Sequence, residues 1–136
     1  MSDKIVIRPD QGPFAGDGAA VFDKFGYAAA VKANGMLYVS GQIGLNPDGS
    51  LPDDDQTQFV NAFDRLDAIL KTAGIGFTDV VDLVSYHVGI HEHFADFVAV
   101  KGRYIPEPFP AWTAIGVAAL ARPGLVIEIK AVALMP

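Results

Sequence analysis

The stretch from Leu125 to Leu134 constrains the fold of this chain more than any other. Side chains alternate between the two faces of a β-strand, and here both sets are mostly apolar. One face carries Leu125, Ile127, Ile129, Ala131 and Ala133, and the other carries Val126, Glu128, Lys130, Val132 and Leu134. Because both faces need cover, this stretch is predicted to be an inner strand of a sheet with a layer on each side.

Extended segments elsewhere supply the rest of the sheet. The clearest is a hairpin, because Asn34-Gly35 is a dipeptide that accepts positive φ at both central positions of a type I′ turn. The predicted strands are Lys4–Arg8, Tyr27–Ala33, Met36–Ser40, Asp79–Ile90, Ala111–Ala119 and Leu125–Leu134.

Two helices are predicted between these strands. Apolar residues follow at three- and four-residue spacing from Phe59 to Ala73, after three aspartates that suit a helix N-terminus and before Gly74, which suits a C-terminal cap. A second helix is predicted from about His93 to Tyr104, where Pro106 ends it. The order β-ββ-α-β-α-ββ predicts an α+β domain, a mixed sheet with two helices on one face.

Size and composition indicate one domain that associates with copies of itself. The chain has 136 residues, the size of a single domain. Apart from the strand at Lys4–Arg8, we expect residues 1–24 to be an irregular N-terminal segment, because glycine and proline recur after that strand. Hydrophobic residues make up 51% and charged residues 19%, more apolar than a soluble monomer requires. We therefore expect an oligomer in which a second copy covers the open face of the sheet.

Charge, cysteine content and hydropathy exclude several classes of protein. With 16 acidic against 10 basic residues the net charge is -6, which opposes binding to nucleic acid. The chain has no cysteine, so disulfides, thiolate zinc sites and a thiol nucleophile are excluded. Its apolar runs match neither a signal peptide nor a membrane span, so we expect a cytoplasmic protein without a membrane partner.

The histidines and glycines do not form a recognisable cofactor motif. His87, His91 and His93 are close in sequence but do not share a helix face and lack the HExxH spacing of a zinc protease. A polar strand end and a helix entry are favoured over a metal site or a catalytic base. Gly41–Gly44 and Gly16–Gly18 are incomplete as phosphate or dinucleotide loops. We expect no metal and no organic cofactor.

Glu128 is the candidate for acid–base chemistry. A carboxylate on a strand with two apolar faces has to be paired, hydrogen-bonded or kept protonated, and such burial raises a carboxyl pKa into the range useful for proton transfer. The alternative is a structural ion pair with Lys130 or another base. Tyr27 suits an aromatic residue at the edge of the core, with its hydroxyl in water.

Six motifs occur in a characteristic order and spacing. They are Val39-Ser40-Gly41-Gln42-Ile43, Ala73-Gly74, Asp79-Val80-Val81, Phe97-Val98-Ala99-Val100, Pro110-Ala111 and Val126-Ile127-Glu128-Ile129. As a set they resemble the RidA/YjgF (Rid) family over residues 25–136. The resemblance implies a chorismate-mutase-like α+β subunit and a homotrimer whose sheets form a central barrel. It also implies hydrolysis of 2-imino acids, or their enamine tautomers, to 2-keto acids and ammonia in clefts between subunits, without a metal or organic cofactor.

The resemblance implies functional roles for four residues of this chain. Glu128 matches the acidic residue of the family, Tyr27 its cleft tyrosine, and Ser40 and Gly41 its loop. These roles have a physical logic, because a carboxyl group can activate water or move protons while backbone donors orient the substrate.

The remaining part of the implied site departs from the family. The arginine that clamps the substrate carboxylate belongs directly after Pro110-Ala111, and that position is Trp112. An indole has one N–H donor and no charge, so binding of a simple 2-imino acid is expected to weaken by about 2–5 kcal/mol. Lys101 stands where the archetype has an asparagine, and Ala114 stands where it has a small polar residue. Trp112, Lys101 and Ala114 are thus expected to contact the ligand.

The sequence is consistent with three interpretations of the function. The first is a Rid-type deaminase of altered specificity, in which Trp112 stacks on an unsaturated or aromatic substrate and Lys101, Arg103 or Arg122 replaces the missing arginine. The second is a non-catalytic small-molecule sensor or binding trimer. In the third, Trp112 packs into the trimer interface and the protein acts through partners. Ribonuclease activity is disfavoured by the acidic charge.

Overall fold

The computed structural model describes residues 3–136, and within them six strands form one mixed sheet accompanied by three helices. The strands are β1 (Ile5–Ile7), β2 (Ala30–Ala33), β3 (Met36–Ile43), β4 (Val80–His87), β5 (Ala111–Gly116) and β6 (Ile127–Leu134). The helices are α1 (Ala20–Phe25), α2 (Asp55–Thr72) and α3 (Ile90–Tyr104). The predicted α+β class with a mixed sheet is confirmed, with one helix more than expected.

The last strand lies in the interior of the sheet, as its two apolar faces predict. The strand order is β1-β2-β3-β6-β4-β5, and β4 with β5 is the parallel pair among antiparallel neighbours. The face of β6 buried in the core carries Ile127, Ile129, Ala131 and Ala133. The other face is open in the single chain, where Tyr38 and Leu134 are 49% and 48% exposed.

Helix α2 forms as its spacing predicts and supplies much of the core. Asp54 caps its N-terminus by accepting a hydrogen bond from the backbone N–H of Thr57. Gly74, at φ 81°, follows the last turn. The buried apolar residues of the helix are Phe59, Ala62, Phe63, Leu66, Ile69 and Leu70.

The hairpin confirms the predicted turn and adds an irregularity beyond it. Asn34 and Gly35 have φ of 52° and 74°, and β3 then continues to Ile43, three residues past its predicted end. Val39 pairs with Ala131 and Gln42 with Ile129, so two residues of β3 lie opposite one of β6. This β-bulge keeps both Val39 and Gln42 on the buried side.

The N-terminal segment is more regular than the sequence suggested. Strand β1 pairs with β2, two short 3-10 turns follow, and the six-residue helix α1 ends at Gly26 with φ 73°. Phe14 and Phe22 are buried and 5.7 Å apart between ring centroids, and the Arg65 guanidinium lies 4.8 Å from the Phe14 ring. Strand β1 lies within the predicted strand Lys4–Arg8, whereas helix α1 was not expected in the irregular segment predicted over residues 1–24; residues 1 and 2 lie outside the described part.

Helix α3 begins earlier than predicted. It starts at Ile90 after Gly89, whose φ is 74°, rather than near His93. This start places His93 within the first turns, where it is buried together with Phe97 and Val100. The helix ends at Tyr104, before Pro106, as predicted.

Candidate functional site

Glu128 lies on the open face of β6, opposite Ile43 of β3 and Tyr86 of β4. Its side chain is half-buried, and burial raises the pKa of its carboxyl above the ordinary value of 4.5. Within residues 3–136 no basic side chain lies within ion-pair distance of it, Lys130 included. The structural ion pair considered from the sequence is thus absent in this part of the chain, and the carboxyl is available to a ligand.

The bulge of β3 creates the space that Glu128 occupies. A Cβ placed on Gly41 would overlap with Oε2 of Glu128, so a side chain at position 41 would displace the carboxylate. The neighbouring Ser40 uses its hydroxyl and its N–H to bind the carbonyl oxygens of Ala28 and Ala29, at 2.6 and 2.9 Å. Ser40 thereby fixes the bulge to the segment that follows α1.

An open pocket of about 540 Å³ adjoins the carboxylate of Glu128. Polar groups come from Ser40, Gly41, Tyr86, Glu128 and Lys130, and an apolar wall comes from the loop after β5. A second, larger depression of about 750 Å³ lies between residues 10–13 and α2. That depression contains none of the predicted site residues, so we assign the candidate site to the pocket at Glu128.

Tyr27 follows α1 and does not line the pocket at Glu128. Its ring packs edge-on against Phe22 at 5.1 Å. Burial raises its pKa above 10.0; the charge of Arg65 opposes this shift, and the Glu128 carboxylate adds to it. The carboxylate is therefore close enough to influence the Tyr27 hydroxyl.

Trp112, Lys101 and Ala114 lie on the opposite, helix-covered side of the sheet. Trp112 is in register with Leu83 and Ala114 with Ser85, both of which are buried in β4. Lys101 reaches over the indole from α3, with its Nζ 4.4 Å from the ring centroid. Within one chain, the sheet therefore separates these three residues from Glu128, and the site implied by the resemblance divides into two groups.

The indole of Trp112 packs against α3 and hydrogen-bonds to β4. Phe94 stacks on it with ring centroids 5.7 Å apart and an interplanar angle of 5°. Its Nε1–H donates a hydrogen bond of 2.9 Å to the Ser85 hydroxyl. Because Phe94, Lys101 and Ser85 already engage the ring and its donor, Trp112 is held as part of the packing between β5 and α3.

A buried polar chain continues from Ser85, and sequence reasoning missed it. The Ser85 hydroxyl contacts Nε2 of His87 at 2.8 Å, and Nδ1 of His87 contacts Nε2 of His93 at 2.9 Å. Nδ1 of His93 faces the Asp55 carboxylate at 3.8 Å. Tautomers that direct the Nδ1–H of His93 toward Asp55 satisfy each contact in turn and leave both imidazoles neutral.

Both imidazoles resist protonation because they are buried. His87 is fully buried and His93 is 4% exposed. Burial, followed by the nearby His93, lowers the pKa of His87 to about 4. The sequence predicted a polar strand end at His87 and a polar helix entry at His93, and the structure shows that both side chains are buried. One signal of this arrangement was available, since Ser85 and His87 alternate with the apolar Leu83 on one face of β4.

The two arginines proposed to replace the family's missing one are directed elsewhere. Arg122 donates a hydrogen bond of 2.8 Å to the carbonyl oxygen of Gly49, and Arg103 is exposed on α3. Neither lines the pocket at Glu128, where Lys130 is the one basic residue among those described. The pocket therefore combines a carboxyl group of raised pKa, an ammonium group and backbone of the bulge, a set able to move protons and to bind an anion.

The comparisons with known proteins agree on one family. A sequence model of the family described as Endoribonuclease L-PSP matches residues 20–135. The RutC family protein YjgH of Escherichia coli (strain K12) is 41% identical over 111 residues, which cover 81% of this chain and 83% of that protein. The 2-iminobutanoate/2-iminopropanoate deaminase of Bos taurus is 37% identical over 109 residues, which cover 79% of this chain and 78% of that enzyme.

The fold of this chain matches that of a solved structure over a longer part of the chain than the sequence alignments cover. A solved structure of Protein YJGH superposes with a TM-score of 0.85 and 36% identity, covering 98% of both chains. Within residues 3–136, each helix is too short or too polar to cross a membrane. From the sequence motifs, the family model and the shared fold, the chain belongs to the RidA/YjgF family.

Proposed function

We propose that this chain is a Rid-type hydrolase that converts 2-imino acids, or their enamine tautomers, to 2-keto acids and ammonia. The observation that carries the proposal is the half-buried carboxyl of Glu128, which has no ion-pair partner within residues 3–136 and borders an open pocket. A relative of this chain is named for this chemistry on 2-iminobutanoate and 2-iminopropanoate.

Glu128 supplies the proton transfers that the hydrolysis needs. Its carboxylate takes a proton from water as the water oxygen forms a bond to the imine carbon. The resulting carboxylic acid returns this proton to nitrogen, which gives a carbinolamine. Glu128 then moves the hydroxyl proton of the carbinolamine to nitrogen, and the carbon–nitrogen bond breaks as the carbonyl double bond forms, which releases the 2-keto acid and ammonia. A raised pKa makes the Glu128 carboxylate a stronger base than an ordinary carboxylate, and this route uses neither a metal nor an organic cofactor.

The active form in this proposal is a homotrimer whose ligand sites lie in clefts between subunits. The open face of the sheet supports it, since apolar side chains such as Tyr38, Ile115 and Leu134 remain 39–49% exposed there in one chain. The pocket at Glu128 opens on the same face, so a neighbouring copy packed there would border it. In such a trimer Trp112 and Lys101 act on the substrate only if they reach a neighbour's pocket.

Specificity in this proposal differs from that of relatives with an arginine at position 112. The indole N–H of Trp112 is used by Ser85, so it offers no donor to a substrate carboxylate. Trp112→Arg is expected to change which imines are hydrolysed. The substitution adds a guanidinium group that can bind a carboxylate, and it removes the hydrogen bond to Ser85.

Release of 2-keto acid tests the proposal. Short-chain 2-imino acids are generated in situ, and keto-acid formation is followed with wild type, Glu128→Gln and Glu92→Gln, a matched change at an exposed position of α3. We expect wild type and Glu92→Gln to accelerate release and Glu128→Gln to lose at least a hundredfold in rate, in line with general acid–base catalysis. Wild-type protein that leaves the uncatalysed rate unchanged contradicts the proposal.

A second candidate is a non-catalytic small-molecule binding trimer of the same fold. The engagement of Trp112 with Ser85, Phe94 and Lys101 favours it, because no guanidinium stands where the family clamps its substrate. This candidate predicts a folded protein that binds a small carboxylate but does not hydrolyse imines.

A further inference from the structure

A 2-imino acid carries a carboxylate, so a pocket that binds it needs a cation or several aligned donors. None of the cations considered from the sequence lines the pocket at Glu128: Lys101 lies over Trp112, Arg122 binds the carbonyl of Gly49, and Arg103 is exposed on α3. Arg65 packs against Phe14. Within one chain, the cation that does line this pocket is Lys130.

Lys130 stands at the position in the sheet that meets this need. Val39 pairs with Ala131 and Gln42 with Ile129, so Lys130 is the single residue of β6 opposite the two bulge residues, Ser40 and Gly41. It is exposed, and it lines the same pocket as Glu128. Its partner on the other side is Val84 of β4, which is apolar. The bulge in β3 thus leaves space beside Lys130, and its ammonium group can face the pocket there.

The spacing of Lys130 from Glu128 suits a small 2-imino acid. Residues two apart on a strand share a face, and their Cα atoms lie about 7 Å apart. The carboxylate carbon of a 2-imino acid is bonded directly to the imine carbon, at about 1.5 Å. Two side chains on one face of the strand can therefore act on one small substrate, the ammonium by hydrogen bonding to its carboxylate and Glu128 by hydrogen bonding to the attacking water.

We propose that Lys130 binds the substrate carboxylate and so replaces the arginine absent at position 112. This inference rests on the proposed function for its catalytic part, but the binding of a carboxylate by Lys130 stands independently. An ammonium is a point charge without the planar fork of a guanidinium, so binding at this exposed position weakens as ionic strength rises. The apolar loop with Val117 and Leu120 borders the pocket and meets the substrate side chain.

Binding of 2-oxobutanoate, a stable 2-keto acid, tests the inference without requiring turnover. Ligand-observed NMR titrations compare wild type, Lys130→Gln, Lys130→Arg and the control Lys71→Gln, which removes the same charge from α2, where Lys71 pairs with Asp67. We expect Lys130→Gln to raise Kd by about ten- to hundredfold, with Lys130→Arg and Lys71→Gln near wild type. The sole tryptophan reports the fold of each variant by fluorescence.

Turnover of the same variants separates this inference from the proposed function. If imines are hydrolysed, Lys130→Gln should raise KM about tenfold or more and leave kcat within a few fold. If wild type binds 2-oxobutanoate through Lys130 but has no hydrolase activity, the proposed function fails and the Lys130 site stands. If Lys130→Gln binds as tightly as wild type, or wild type does not bind at all, the Lys130 site is overturned whatever the activity.

Discussion

Gly41 controls the position of the acidic group in the pocket. The motif Ser40-Gly41-Gln42 carries the family resemblance, but the physical need for glycine emerged from the contact between position 41 and the Glu128 carboxylate. That contact crosses from β3 to β6, and its distance depends on the bulge. A single sequence does not reveal a close approach of this kind.

Gly41→Ala is expected to impair activity more than stability. The added methyl group overlaps with Oε2 of Glu128 and displaces the carboxylate, so we expect kcat/KM to fall at least tenfold while unfolding changes by about 1–3 kcal/mol. Steady-state kinetics and urea unfolding measure both. Gly102→Ala is the control, because a Cβ at Gly102 of α3 meets nothing within 4 Å. Full activity of Gly41→Ala would show that the contact is unimportant.

Trp112 shows that a residue can be identified as unusual from the sequence while its contacts stay unknown. The sequence marked its difference from the family, and the structure gives the indole N–H a partner in Ser85. That partner could not be predicted, since it depends on the register between the parallel strands β4 and β5.

A double-mutant cycle between Ser85 and Trp112 tests this contact. Ser85→Ala removes the acceptor of the indole N–H and a partner of His87, so we expect a loss of about 1–3 kcal/mol in the free energy of unfolding. Trp112→Phe keeps an aromatic ring but lacks the N–H. Chemical denaturation followed by circular dichroism should give a coupling energy of about 1 kcal/mol between the two changes. Purely additive effects would contradict the hydrogen bond.

Among the elements, those with local signals were predictable and those ordered by tertiary contacts were not. The apolar spacing of α2 and the Asn34-Gly35 turn are local, and both were confirmed. Helix α1 has six residues, too few for a periodic pattern, and the bulge in β3 exists only relative to β6. The burial of His93 likewise depends on how α3 packs against β4.

The histidine pair between β4 and α3 should make the fold sensitive to acid. The unfolded chain protonates His87 near pH 6.5 and the folded chain only near pH 4. The free energy of unfolding is therefore unaffected above pH 6.5 and falls as the pH drops towards 4, by at most about 1.4 kcal/mol per pH unit for one group. The carboxylates of Asp55, Glu92 and Asp96 partly oppose the effect of burial on His93.

Urea unfolding between about pH 7.5 and pH 5 measures this loss. His87→Gln should flatten the dependence relative to wild type, because the titrating group is removed. His91→Gln changes an exposed histidine of α3 and should leave the pH dependence of stability as in wild type. A wild-type protein that is equally stable at both pH values would show that the pair is not buried in a neutral form.

At the scale of the whole molecule, the open face of the sheet is the feature that the single chain leaves incomplete. The mostly apolar second face of the last strand indicated a further layer, and within residues 3–136 that face stays partly exposed. The homotrimer remains our proposal for what covers it.

Sedimentation analysis of wild type and Tyr38→Lys tests the trimer. Tyr38 lies opposite Val132 on the open face, so a charge there should dissociate a trimer to folded monomers. Val98→Lys, a change at an exposed apolar residue of α3, should leave the trimer intact. A wild-type monomer at micromolar concentration would remove the subunit cleft from the proposed mechanism.

The pH dependence of 2-keto acid release from an imine generated in situ tests the central claim most directly. If Glu128 moves the protons, kcat/KM for wild type should rise along an acid limb whose midpoint lies above 4.5, because burial raises the pKa of this carboxyl. Glu128→Gln should lose that limb together with most of the rate. An identical rate and profile in Glu128→Gln would contradict the account.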